Sequence, residues 1–284
     1  MNSICELEVQ NLHDSWCILY YSLANSLVVA ESDGEGKLRS IVRKYGAAIG
    51  LNERETHQEQ GIKINLKNFF SMPRHRCYDP RLFVNQQRLN EQVALYDVIR
   101  CPFSQCAKQY HSEYTAKMFC EEYSAACIDA YTEQVSQVNL SEILTEPQNN
   151  HCRISAYYRP GNVGASKYQS YFDQFDEPMI ETIGVEQKIS DAVGIWNRSA
   201  LLLWDVFIHD ESSPNWIETA IKRATGSLAD FFQRRSTSME QKLGLNFLEK
   251  NCAFPVTKKD LEVLAGQLAR QLLQNLGLNK EVQS

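Results

Sequence analysis

The sequence predicts an α+β fold, with helices packed on a small antiparallel sheet and a helical C-terminal half after it. Three observations carry this. Long stretches near both ends repeat apolar residues three and four positions apart, the spacing of one helix face. Short stretches in the middle alternate instead, the period of a strand. Between the two regions, "RPGNVGASKYQS" (159–170) is rich in Gly, Ser and polar residues and marks a boundary. The division is an α+β domain over 1–160 and a helical domain over 178–284.

Each element follows from its residues. Residues 12–31 are apolar enough for a long, mostly buried helix. "EGKLRSIVRKYGAAIG" (35–50) sets Leu38, Ile41, Val42, Tyr45 and Ile49 on one face, and Gly50 marks its end. A polar segment, "LNERETHQEQG", then "INLKNFF", follow. "MPRHRCYDPR" (72–81) has two prolines and no periodicity, which predicts a loop. "VALYDVIR" (93–100) alternates as a strand. "YTAKMFCEEYSAACIDAY" (114–131) is helical, with Phe119, Tyr123, Ala126 and Ala130 on one stripe. "VNLSEIL" and "HCRISAYYR" (151–159) read as antiparallel strands joined by "TEPQNN". In the second, Cys152, Ile154, Ala156 and Tyr158 share a face. In the C-terminal half, Ile189, Val193, Trp196, Ala200, Leu203 and Phe207 form a packing stripe. The last helix starts near Thr257 and Asp260, carries Leu261, Leu264, Leu268 and Leu272, and ends at Gly277.

The two halves also match at a fixed offset of 180. Trp16 meets Trp196, Leu23 meets Leu203, Gly46 meets Gly226 and Arg54 meets Arg234. This points to a partial, degenerate internal repeat of the N-terminal helices.

Composition excludes several classes. The 284 residues are 43% hydrophobic and 23% charged, as in a globular protein. A net charge of −6, with no basic stripe, argues against nucleic acid or an anionic membrane as the main partner. The first Lys is Lys37, so a signal peptide's basic start is missing, and no apolar run is long enough for a bilayer. The expected location is cytoplasmic. Nine cysteines, an odd number with no CxxC, read as free thiols rather than a disulfide framework or a metal site. No metal or other cofactor is expected. The expected partner is a small-molecule substrate, with a homodimer through the C-terminal helices as the further possibility.

The stretch from about 14 to 158 resembles the L-2-amino-thiazoline-4-carboxylic acid hydrolase family. The features, in order, are "GEGKLRSIVRKYGAAIGLNERE", "RCPFSQCAKQY", "MFCEEYSAACIDAY" and "HCRISAYYR". The resemblance implies hydrolysis of a C=N-containing ring in a small sulfur/nitrogen amino-acid derivative. Natural-product tailoring on the same scaffold is a second implication. Two positions depart from the family pattern: Tyr123 and Arg153 stand where acidic residues are expected.

Ring opening needs a nucleophile, a proton donor and a group to hold a substrate carboxylate. Cys101 is a candidate nucleophile: Arg100 precedes it, and Pro102 biases it toward extended backbone. Cys120 and Cys152 are the other candidate thiols. Glu122 is a candidate acid/base. Arg100 suits a carboxylate clamp, because its planar fork binds two oxygens. His75, Arg76 and Asp79, on a loop, and His111 are candidate substrate contacts. Each also reads as an ordinary packing or solvated residue, and a non-catalytic binding protein is the alternative from another class.

Overall fold

A computed structural model describes residues 6–71, 79–159, 191–209, 214–256 and 265–278. The predicted boundary at 159–170 falls outside them from residue 160 onward, as do Ile189, Thr257, Asp260, Leu261 and Leu264. Nine helices and a four-stranded sheet form among the described residues.

Helix α1 (Glu6–Ala30) is the axis of the molecule. Its apolar and small residues are buried on nearly every side, as a helix without a polar face requires. Helix α2 (Gly34–Glu59) corrects two expectations. It runs through Gly50, and the polar segment after that glycine is its last turns. Gly46 and Gly50 lie against α5 (Glu113–Tyr131), where small residues let the two backbones approach. A Cβ on Gly50 would stand 2.1 Å from the Cys127 carbonyl oxygen, and one on Gly46 2.7 Å from that of Tyr123. The glycines serve packing, and α2 stops at Gly61 instead. There φ is +68°, and the Ile62 N–H donates to the His57 carbonyl.

After α3 (Leu66–Ser71), β1 (Phe83–Leu89) pairs with β2 (Val93–Arg100). Strands β3 (Ser136–Glu142) and β4 (Cys152–Tyr158) complete an antiparallel sheet of order β1-β2-β4-β3. Val84 is registered on Val98, Tyr96 on Ile154 and Leu140 on Ile154. These side chains and Cys152 share the face turned to the helices, since alternate residues share a face. Asp97 and Arg153, paired across β2 and β4 at 2.9 Å, stand on the other face. Strand β1 was not expected. It is a largely exposed edge strand and carries no alternation to read.

Between β2 and α5 lies α4 (Pro102–Gln109). The second half supplies α6 (Ala192–Ile208), α7 (Pro214–Ser238), α8 (Leu245–Asn251) and α9 (Ala265–Asn275). The apolar stripe of α6 is consumed inside the chain: Trp196, Ala200, Leu203 and Phe207 are buried, and α6 packs on α1 and α2. Helix α1 also meets α7 and α8, so buried side chains from both halves join one core. Ser15 of α1 accepts a hydrogen bond from the Ala253 N–H, 2.9 Å. Gly277 closes α9 with φ +71°, as expected.

Helices α2 and α7 start 180 residues apart and end 179 apart. After α7, Glu240 is left-handed as Gly61 is after α2, and the Gln241 N–H donates to the Ser236 carbonyl. No described helix is long and apolar enough to cross a membrane.

Candidate functional site

A cavity of about 500 Å³ lies between the inner face of the sheet and helices α1, α2, α5 and α6. One wall is aromatic. Tyr123 stacks on Phe119 (4.9 Å between ring centres, 13° between planes) and on Tyr45 (5.6 Å, 30°). Trp16 and Phe103 extend this wall, and Trp196 of α6 borders it 6.0 Å from Trp16. Val84, Val98 and Ile154 of the sheet form the opposite wall. The Tyr45 and Ser199 hydroxyls, 2.7 Å apart, tie α2 to α6 at the rim.

Cys101, Asp79 and His13 give the cavity a polar end. Strand β2 stops at Arg100 and α4 starts at Pro102, which leaves Cys101 at the joint with φ −124° and ψ 114°. The proline fits the first helical position and forces extended backbone on the residue before it, as the sequence predicts. The Cys101 thiol is thus at the positive end of α4. Burial pushes its pKa up, and this outweighs the Ser104 and Phe103 backbone amides that pull it down. The thiol is protonated at neutral pH and needs a base to react.

Asp79 opens a turn. The Leu82 N–H donates to its carbonyl (3.1 Å) and the Arg81 N–H to its side chain (2.8 Å), with Pro80 presetting the backbone between them. The turn aims the Arg81 guanidinium between two carboxylates. It donates to Asp79 at 2.7 Å and 3.0 Å, and to Asp14 at 2.8 Å and 3.1 Å. Arg235 of α7 donates to Asp14 as well, 3.1 Å. Burial raises the Asp14 pKa, but hydrogen bonds from His13 and Arg81 outweigh it and bring it to about 2. His13 Nδ1 is 2.9 Å from Asp14 Oδ1 and 3.0 Å from Arg81 Nη2. Carrying a proton, Nδ1 donates to Asp14; without one, it accepts from Arg81. The Cys17 sulfur is 3.5 Å from Nε2 and 3.7 Å from Nδ1, so it sits beside the ring rather than on one lone pair.

The other expected residues are placed as follows. Cys120 of α5 and Cys152 of β4 lie close enough to Cys101 for their charges to interact, so the three candidate thiols converge. Burial raises the pKa of both, that of Cys152 to about 11, and neither borders the cavity. Cys152 accepts a hydrogen bond from the Leu144 N–H, 3.1 Å. Glu122 does not offer the raised pKa of a general acid. Arg43 and Arg39 hold its carboxyl at 2.5 Å and 2.9 Å, below the usual carboxylate range and away from the cavity. Arg100 is exposed and lies over the Phe83 ring, 5.4 Å, outside the cavity lining; a carboxylate clamp there is not supported. His111 is exposed in the turn after α4, with φ +50°, and also lies outside the lining. His75 and Arg76 fall outside the described residues. Of the two positions where the resemblance led to an expectation of acidic residues, Tyr123 borders the cavity and Arg153 lies on the far face of the sheet.

Sequence reasoning missed His13, Asp14, Arg81 and Arg235. Asp79-Pro80-Arg81 carried a signal, because Asp followed by Pro opens a turn that presents the next side chain. No protein-family model, curated protein or solved structure matches the chain.

Proposed function

We propose that the protein is a small-molecule enzyme of the hydrolase type, opening a cyclic C=N-containing substrate with Cys101 as nucleophile and His13 as base. The observation that carries this is the placement of both side chains on one ligand-sized cavity, with Cys101 at the positive end of α4. His13 takes the thiol proton. The sulfur bonds to the ring carbon, and the C=N pair moves to nitrogen, which takes that proton from His13. The ring C–S bond then breaks as C=N re-forms, and the proton passes to the departing sulfur. Water adds its oxygen to the carbon, the bond from that carbon to the Cys101 sulfur breaks as C=O forms, and water's protons go to the nitrogen and to that sulfur, restoring the thiol. Asp14 and Arg81 flank His13 Nδ1 and offer it a partner in either protonation state.

The test is thiol release from L-2-amino-thiazoline-4-carboxylate and from 2-phenyl-2-thiazoline, followed by mass spectrometry, with wild type, Cys101→Ser and His13→Gln. Turnover of either ring by wild type, lost in both variants, supports the reading. Turnover that survives Cys101→Ser moves the nucleophile to water. A folded wild type that opens neither ring favours a binding protein, a reading to which the raised Cys101 pKa lends weight.

A further inference from the structure

We infer that the cavity takes a neutral aromatic ring system rather than a free amino-acid carboxylate. The inference rests on the proposed function only for which ring atom reacts; binding itself does not depend on it.

Charge comes first. Among the described lining residues, no Lys or Arg faces the cavity, and Asp79 is the carboxylate there. The cations behind the polar end are committed. Arg81 is shared between Asp79 and Asp14, and Arg235 reaches Asp14. Two guanidinium groups against two carboxylates leave this end near neutrality. A substrate carboxylate would lose its water, meet Asp79 and find no uncommitted cation among these groups. A substrate ammonium would find Asp79 already paired.

Shape and chemistry agree. Phe119, Tyr123 and Tyr45 form a continuous stacked face, with Trp16 and Trp196 beside it and the aliphatic side chains of the sheet opposite. Aromatic faces such as these bind planar rings by offset stacking and edge contacts. A cavity of about 500 Å³ suits a fused or aryl-substituted ring, and an amino-acid-sized heterocycle would leave much of it unfilled. Ser124, on the lining, offers a neutral hydrogen-bonding group.

The test is calorimetric titration of the full chain with two probes, 2-(2-naphthyl)-2-thiazoline and L-2-amino-thiazoline-4-carboxylate. The naphthyl compound is expected to bind at least tenfold more tightly. Ser124→Leu, which places a larger helix-compatible side chain on the lining, is expected to weaken it at least tenfold, as is Phe119→Ala. Thermal melts establish that both variants fold. Equal or tighter binding of the carboxylate, absence of naphthyl binding, or naphthyl binding that Ser124→Leu leaves unchanged in a folded variant overturns the inference. Turnover is read separately. A naphthyl compound that binds, with neither it nor the two rings of the turnover assay opened, retires the hydrolase reading and keeps this one. A carboxylate that binds more tightly and is opened does the reverse.

Discussion

Arg235, on α7, donates a hydrogen bond to Asp14 of α1 at 3.1 Å, across 221 residues of chain. Through Asp14, the second half of the chain reaches His13 and the polar end of the cavity.

That link has a pH signature. The Asp14 carboxyl titrates at about 2 in the folded chain, against 3.8 ordinarily. A depressed carboxyl stabilises the fold above the unfolded value, and the gain is lost as pH falls through the folded one. Stability should therefore drop by about 2 kcal/mol between roughly pH 4 and pH 2 on this account. Urea unfolding across that range should show the drop in wild type and flatten it in Asp14→Asn.

Arg81 stands between two buried carboxylates. Arg81→Met strips Asp79 of this partner and should cost about 3–5 kcal/mol, the range for breaking a buried pair. Adding Asp79→Asn should recover part of the loss, because no uncompensated charge then remains at that position. A double variant no more stable than Arg81→Met alone would show that Asp79 is solvated instead.

Two glycines that the sequence offset aligns sit in different surroundings. A Cβ on Gly46 meets the Tyr123 carbonyl at 2.7 Å and one on Gly226 meets nothing within 4 Å. Gly46→Ala should cost about 1–3 kcal/mol by overpacking. Gly226→Ala, in a helix interior, should gain about 0.5–1 kcal/mol. Urea midpoints moving in opposite directions would verify the contrast.

Thiol chemistry gives a direct readout of the cavity. Burial holds the Cys101 pKa up, so its alkylation by iodoacetamide should be slow at pH 7 and rise through pH 9, with peptide mapping identifying the site. A bound ring should protect it. Fast alkylation of Cys101 at pH 7 would contradict a raised pKa for this half-buried thiol.

Local signals carried much of the fold. Alternation located β2 and β4, apolar content located α1, helical spacing located α5 and α6, and Pro102 set the backbone of Cys101, because each depends on side chains close in sequence. One local reading failed where distant chain intervened: Gly50 looked like a helix stop until α5 packed against it. Strand β1 drew no reading, because a largely exposed strand has no alternating pattern.

What the sequence determined by itself was the α+β class, most elements and the extended backbone of Cys101 before Pro102. Tertiary structure alone decided the site. Arg81 lies 67 residues from Asp14 and Arg235 lies 221, so their ion pairs leave no periodic or local trace. The aromatic lining comes from helices and strands whose residues read individually as core. Only their packing leaves a gap between sheet and helices, and a cavity is a property of surfaces that do not meet.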